Sequence, residues 1–184
     1  MNQYQIAVIA GSLRAESINR KLASAIVSFA PPEFAFTQLE IGDLPLYNQD
    51  DDANQAIAVK RFKREILAAT GLIFVTPEYN RAIPGVLKNA IDHASRPYGE
   101  SAWTGKPSGV LGASVGAIGT AVAQQQLRTI LANLDVPTLG QPEAFIHITE
   151  GFFDEAGGIA KAGTREFLQK WMDKYVGWVK KHAG

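Results

Sequence analysis

Five short apolar segments alternate with five amphipathic segments along this chain, and that alternation restricts the fold more than any other feature. Residues 4–10 and 71–76 are nearly continuous apolar runs, which are typical of strands buried on both faces. After the first run, apolar residues recur at helical spacing over 22–29, until Pro31 and Pro32 end the helix. Strands and helices that alternate with short turns predict a parallel sheet covered by helices on both faces.

The remaining segments complete a regular pattern. Further strands are predicted at 34–41, at 107–113 and at 136–139 plus 144–148 with a break near 140–142, and the helices at 17–29, 53–69, 84–94, 121–134 and 164–181. In the second helix we expect the inward residues to be Ile57, Phe62, Ile66 and Leu67. Five strands and five helices in 184 residues predict an α/β, flavodoxin-like three-layer sandwich with strand order 2-1-3-4-5. We expect a single domain spanning 1–184.

Charge and cysteine content exclude several classes of function. Lys plus Arg and Asp plus Glu number 18 each, so no global field recruits nucleic acid or an anionic membrane surface, and an anion must be held locally. Cysteine is absent, which removes disulfides, thiolate nucleophiles and thiolate metal sites. The three histidines show no metal-ligand spacing, so we expect no metal site. The N-terminus has no leader pattern and no apolar run is long enough to span a bilayer, so we expect a soluble cytoplasmic protein.

The three loops richest in glycine and polar residues each follow a predicted strand. They span 11–19, 77–80 and 114–119, after the first, third and fourth strands. In a parallel sheet all three lie at the carboxyl edge, and in this topology ligands bind there between strands 1 and 3. The convergence of the loops therefore predicts a ligand site.

The first of these loops has the composition of an anion site. Gly11 permits a sharp turn, Ser12, Ser17 and Asn19 have side chains that can donate to phosphate oxygens, and Arg14 is a fixed cation. A helix beginning near Ser17 adds free N–H groups and the positive end of its dipole. Taken alone, the same residues also suit an ordinary strand-to-helix turn with Ser17 as N-cap and Arg14 in solvent.

A mononucleotide fits these loops better than a dinucleotide, because neither G-x-G-x-x-G after the first strand nor a Walker sequence is present. We expect phosphate at the first loop and a planar ring against the backbone of 77–80, with Tyr79 nearby. For a flavin, N–H groups directed at the ring would stabilise the negative charge of its reduced state. We interpret Glu78 as a backbone-orienting or interface carboxylate rather than a general base, and His93 as a packed or capping residue.

Two motifs resemble the NAD(P)H-dependent FMN reductase family, the flavodoxin-like quinone and chromate reductases. They are G-S-L-R-x-x-S-x-N at 11–19 and T-P-E-Y-N-x-x-I-P-G-x-L-K-N-A-I-D at 76–92. The resemblance implies non-covalent FMN with its phosphate at the first loop, its isoalloxazine edge at 77–80 and Ser114 beside the ring. The implied cofactor-binding residues are Ser12, Leu13, Arg14, Ser17, Ile18, Asn19, Pro77, Glu78, Tyr79, Asn80 and Ser114. The sequence departs from the family pattern at His93, Arg81-Ala82 and Gly119-Thr120.

The resemblance also implies an activity. NAD(P)H, the co-substrate, delivers a hydride to FMN, leaves, and a small-molecule acceptor takes two electrons from the same face, with no catalytic side chain required. Quinones, azo dyes, nitroaromatics, chromate and free flavin are possible acceptors. A homodimer or homotetramer is implied, with the helix at 121–134 and the loop at 45–50 as candidate interface segments. Two alternatives stay open, a flavodoxin-type electron carrier and a non-redox nucleotide-binding module.

Overall fold

A computed structural model describes residues 4–182 of the chain. Five strands and five helices alternate in it. They are β1 (Tyr4–Ala10), α1 (Ile18–Ile26), β2 (Phe34–Gln38), α2 (Ile57–Ala68), β3 (Gly71–Val75), α3 (Gly85–Ala94), β4 (Ser108–Ser114), α4 (Ala121–Asn133), β5 (Ala144–His147) and α5 (Ala162–His182). Two short 3-10 helices, Val27–Phe29 and Gln49–Asn54, lie in the connections.

The five strands form one parallel sheet in the order β2-β1-β3-β4-β5, which confirms the predicted fold. Side chains of β1 alternate between the two faces, as the strand period requires. Ile6 and Val8 join the core under α1 and α5, whereas Ala7 and Ile9 join the core under α2, α3 and α4. Helices therefore cover both faces of the sheet, and both cores are apolar.

The second helix differs from the prediction in its start and in its inward face. Residues 49–54 form a 3-10 turn in which the Asn48 side chain accepts a hydrogen bond from the Asp50 N–H, so α2 begins only at Ile57. Ile57 is 87% exposed and Leu67 58% exposed, so the prediction that they point inward was wrong. Phe62 and Ile66 are buried as predicted, and Val59 is the third buried residue of this helix.

Two strand predictions were too long. β2 ends at Gln38 rather than at residue 41, because the chain then turns away from β1 after one further hydrogen bond, from Leu39 N–H to Val8 C=O. The segment at 136–139 makes only a single bridge, between Thr138 and Ser108, and β5 itself is confined to Ala144–His147.

The C-terminal helix covers one face of the sheet through an aromatic stripe. Trp171 and Tyr175 are fully buried and stack on one another, with ring centroids 5.5 Å apart. Gly109 in β4 leaves room for this pair, since a methyl group added there would lie 2.7 Å from the Trp171 ring. Among residues 4–182 no helix has both the length and the apolar character needed to cross a membrane.

Candidate functional site

The three predicted loops meet at the carboxyl edge of the sheet, and direct contacts join them. A methyl group added at Gly11 would lie 3.4 Å from Pro77 Cδ, which brings the first loop against the third-strand loop. One added at Gly112, in β4, would lie 2.1 Å from the Thr76 carbonyl oxygen at the end of β3. An added Cβ is tolerated at neither position without movement, so the three segments form one closely packed unit.

The first loop ends in a capped helix N-terminus. Ser17 is the N-cap of α1, and its hydroxyl accepts a hydrogen bond from the Arg20 N–H at 3.3 Å. The N–H groups of Ile18 and Asn19, at the first two helical positions, have no intrahelical partner by the geometry of an α-helix. Ser12 is buried at the start of the same loop, and Leu13 is more than half exposed. The loop therefore presents free backbone donors and the positive end of a helix.

Charges around this loop leave the Arg14 guanidinium available. Lys21 donates to Glu16 at 2.6 Å, and this hydrogen bond lowers the pKa of the Glu16 carboxyl below its ordinary value, with smaller contributions from the charges of Lys21 and Arg14. No hydrogen bond or ion pair to another of the residues in 4–182 engages the Arg14 guanidinium, which is exposed. Arg14 is thus free to contact an anion bound at the loop.

The expectation that the Asn19 side chain donates to phosphate is corrected by the structure. Its amide nitrogen donates to the Ala113 carbonyl and its amide oxygen accepts from the Ala113 N–H, both at 2.8 Å, and the residue is almost fully buried. The side chain fastens the start of α1 to the end of β4. Asn19 can therefore serve an anion through its backbone N–H, while its side chain stabilises the junction of the loops.

The third-strand loop contains a tight reverse turn. Tyr79 and Ala82 exchange two backbone hydrogen bonds of 3.0 Å, and the two residues between them, Asn80 and Arg81, have φ values of 53° and 64°. Two positive φ angles between paired residues define a type I′ turn. The Thr76 hydroxyl donates to the Pro77 carbonyl at 2.8 Å just before it. The backbone over 76–82 is thereby fixed in one conformation.

Glu78 is held by two groups outside its own backbone. One carboxylate oxygen accepts from the Ala123 N–H at 3.0 Å, and the other from Arg81 Nη1 at 3.3 Å. The side chain is only 8% exposed. Ala123 is the third residue of α4, so Glu78 caps that helix from a neighbouring loop. This geometry agrees with its interpretation as an orienting carboxylate.

The fourth-strand loop is shaped by residues with left-handed backbone. Gly119 and Thr120 have φ values of 59° and 70°, and Thr120 is fully buried. A β-branched residue in this region is unusual. Its hydroxyl accepts a hydrogen bond from Gln124 Nε2 at 3.0 Å, which helps to stabilise the conformation. Ser114, at the end of β4, donates from its hydroxyl to the Gly116 carbonyl at 2.8 Å.

His93 and Asn89 attach the loop after β2 to α3. His93 Nε2 and Asn89 Nδ2 each lie 2.8 Å from the Pro45 carbonyl oxygen, and Asn89 Oδ1 accepts from the Tyr47 N–H. His93 is buried and packs edge-on against the Tyr47 ring, in agreement with its interpretation as a packed or capping residue. Leu46, between the two anchored residues, is 87% exposed.

Sequence reasoning missed several residues that build the site, namely Thr76, Gly112, Thr120 and Gln126, the last of which donates from its side chain to the Arg81 carbonyl. A glycine inside a strand signals a close backbone approach, so Gly112 carried a usable signal. Gln126 acts through a contact with a distant segment, whereas Thr76 and Thr120 form hydrogen bonds with residues close to them in the chain. In the part of the chain that the structure describes, no group of three or more His, Asp or Glu side chains is arranged to hold a metal ion.

Comparisons with known proteins agree on the class of this chain. Residues 4–151 match the family model described as NADPH-dependent FMN reductase. A 2-hydroxy-1,4-benzoquinone reductase of Burkholderia sp is 52% identical, covering 96% of both chains, and a quinone reductase of Pseudomonas putida is 50% identical, covering 96% of this chain and 95% of that protein. The structure of FerB, a flavoenzyme NAD(P)H:(acceptor) oxidoreductase from Paracoccus denitrificans, superposes with a TM-score of 0.93 at 41% identity, covering 97% of this chain and 98% of FerB.

Proposed function

We propose, from the premise that this chain belongs to the NADPH-dependent FMN reductase family, that it catalyses the two-electron reduction of quinones by NAD(P)H. Membership of the family makes the chain an oxidoreductase with FMN as its cofactor and NAD(P)H as electron donor. We choose quinones as acceptors because two relatives that are about half identical to this chain over nearly their whole length are named as quinone reductases. Azo, nitro, chromate and free-flavin acceptors are secondary candidates for the same activity. We place the activity in the cytoplasm, where NAD(P)H is available.

The observation that carries the proposal is the junction of three loops around a free helix N-terminus. When bound here, FMN would supply the redox chemistry, namely hydride acceptance from NAD(P)H and delivery of two electrons to the acceptor. The residues of this chain bind and orient that group, and none of them needs to act as acid or base. Donor and acceptor would then bind in turn, which is a ping-pong sequence. We treat residues 1–184 as one FMN-binding domain.

For the phosphate we propose the first loop. The free N–H groups of Ile18 and Asn19 and the unpaired guanidinium of Arg14 provide donors of the kind that phosphate oxygens need. The buried Ser12 and the N-cap Ser17 add hydroxyls, and the exposed Leu13 follows Ser12 in the same loop. These groups fit a monophosphate held without any metal ion.

For the isoalloxazine ring we propose the third-strand loop, with Ser114 beside it. The segment Pro77, Glu78, Tyr79 and Asn80 has a fixed backbone, and the Tyr79 side chain is about half exposed, so it is available to contact a planar ring. Because Glu78 is occupied at both oxygens, its role in binding is to orient this backbone.

We also propose that the chain assembles as a homodimer or homotetramer. Three large apolar side chains are almost fully exposed, Leu46 at 87%, Ile57 at 87% and Tyr98 at 92%. Hydrogen bonds connect the segments that carry them, since Gln55 donates to the Arg96 carbonyl and Asn89 holds the 45–47 loop. Exposed apolar side chains on connected segments are typical of a protein interface. Leu131 of the predicted interface helix is fully buried in the core and is not available for it.

Steady-state kinetics tests the proposed activity. NAD(P)H oxidation is measured with purified, FMN-loaded protein and a soluble quinone, each concentration varied at several fixed values of the other. We expect parallel double-reciprocal lines, as ping-pong turnover requires. A flavin-loaded protein that oxidises NAD(P)H only with a partner protein would instead be an electron carrier. A protein that binds no flavin would be the nucleotide-binding module.

A substitution at Arg14 tests the phosphate position. Arg14→Ala removes one charge-assisted contact, of about 1.5–3 kcal/mol, so we expect FMN affinity to fall by about 10- to 100-fold. Riboflavin, which lacks the phosphate, should bind the variant and the wild type equally. Arg64→Ala, on the exposed side of α2, is the matched control and should leave both affinities unchanged. Unchanged FMN affinity in Arg14→Ala would move the phosphate away from this loop.

A further inference from the structure

The type I′ turn at 79–82 is attached to α4 at two points one helical turn apart. Glu78 accepts from the Ala123 N–H, and the Gln126 side chain donates to the Arg81 carbonyl at 3.1 Å. Positions 123 and 126 are three residues apart and face the same direction on the helix. The first two turns of α4 therefore hold the reverse turn at Glu78, just before it, and at Arg81, within it.

The turn needs such support because its conformation is unfavourable on its own. Asn80 and Arg81 both have positive φ without being glycine, and such residues persist where their surroundings over-determine them. The contact from Gln126 is made to the Arg81 carbonyl, which belongs to one of these two residues. Arg81 also contributes to the ion pair with Glu78, so one residue receives both restraints.

We propose that Gln126 and Glu78 are positioning residues that set the affinity and the reduction potential of the flavin ring, by fixing the backbone N–H groups of Glu78 and Asn80 against it. The inference rests on the proposed function, in which this backbone faces the ring. Neither residue acts on the phosphate. Hydrogen bonds to a charged acceptor are about twice as strong as neutral ones, so a displaced donor weakens the reduced, more negative ring more than the oxidised ring.

Gln126→Ala is the principal test because it changes no charge and Gln126 is exposed, so the fold is retained. We expect Kd for both riboflavin and FMN to rise about three- to tenfold, with their ratio unchanged. We expect the affinity for the reduced flavin to fall a further threefold or so. Because a tenfold change in affinity shifts a two-electron potential by about 29.6 mV, this loss makes the midpoint potential about 14 mV more negative. Gln125→Ala is the matched control, since Gln125 is the adjacent residue and donates to Glu143 instead.

Substitutions at Glu78 separate the effect of position from the effect of charge. Glu78→Ala releases the α4 cap and should weaken both ligands at least tenfold. Glu78→Gln keeps an acceptor for the Ala123 N–H and should restore most of the affinity for riboflavin, although it also lacks the negative charge. Affinities are measured by quenching of flavin fluorescence, and potentials by titration with a reference dye.

These experiments give different results if the positioning role is wrong than if the proposed function is wrong. If Gln126→Ala binds riboflavin as tightly as the Gln125→Ala control, at an unchanged potential, the inference is overturned while the function stands. A loss of FMN affinity without loss of riboflavin affinity would overturn it too, because the effect would then be on the phosphate. Wild-type protein that binds neither ligand would overturn the proposed function itself.

Discussion

Replacing Gly112 by alanine tests the junction on which the whole site depends. The added methyl group would lie 2.1 Å from the Thr76 carbonyl oxygen and 2.3 Å from Thr120 Oγ1. The first of these atoms belongs to the backbone at the end of β3, and the second is hydrogen-bonded to Gln124, so neither can simply rotate away. Gly112 does not have positive φ, so space alone requires glycine here.

The expected cost follows from the size of the clash. Overpacking a close-packed interior costs about 1–3 kcal/mol, occasionally more, and a collision with backbone belongs at the upper end. We therefore expect Gly112→Ala to lower the free energy of unfolding by about 3 kcal/mol, or the melting temperature by roughly 6–12 °C for a domain of this size. Urea unfolding of flavin-free protein, followed by circular dichroism, measures the change without a contribution from bound ligand.

A second glycine provides the control for this measurement. Gly140 has no heavy atom within 4 Å of an added methyl group and no positive φ, so Gly140→Ala should stay within about 0.5 kcal/mol of the wild type. The junction also requires that Gly112→Ala weaken riboflavin binding, because Thr76 is followed directly by the segment assigned to the ring. Equal stability of the two variants would refute the argument that β3 and β4 approach too closely for a side chain.

Two further predictions concern stability. The Tyr175 hydroxyl is buried without a hydrogen-bond partner among residues 4–182, and burial raises its pKa well above the ordinary value. Tyr175→Phe should therefore leave the free energy of unfolding, measured in urea titrations, equal or higher by up to about 1 kcal/mol. A loss of more than about 1 kcal/mol would mean that the hydroxyl has a partner. Lys106 donates to the Leu67 and Ala69 carbonyls at the end of α2, so Lys106→Met should cost about 1 kcal/mol at pH 7. Burial lowers the pKa of Lys106, so the native protein releases this proton at a lower pH than the unfolded chain does. The difference in unfolding free energy between the wild type and the variant should therefore grow as the pH rises toward 10.5. A difference that shrinks over this range would contradict the burial of Lys106.

The strand order could be predicted from sequence because it depends on patterns that repeat along the whole chain. Apolar runs of strand length and helical periodicity are summed over many residues, so single exceptions do not alter the result. The inward face of α2 was not predictable in this way. Apolar residues lie on more than one side of this helix, and tertiary packing buries Val59, Phe62 and Ile66 while Ile57 and Leu67 stay exposed.

The loops at the carboxyl edge could be located from sequence, but the roles within them could not be fully assigned. Residue type identified Asn19 as a possible phosphate ligand, whereas the structure commits its side chain to Ala113, 94 positions away. Thr120 takes up a left-handed conformation that is costly for a β-branched residue, and its partner Gln124 is buried with it. The contact of Asn19 depends on the packing of distant segments, which spacing along the chain does not specify, and Gln124 is likewise held by its hydrogen bond to the Ala144 carbonyl.

The arrangement of charges at the edge of the sheet explains why an anion should bind at the N-terminus of α1 rather than at those of α3 and α4, which begin at the same edge. The N-terminus of α4 already holds a carboxylate, that of Glu78, and the one cation in the loop before α3, Arg81, is paired with the same group. The N-terminus of α1 is capped only by the neutral Ser17, and Arg14 near it has no partner among the described residues. The N-terminus of α1 thus combines free backbone N–H groups with an unpaired cation, and this is the physical reason for assigning the phosphate to the first loop.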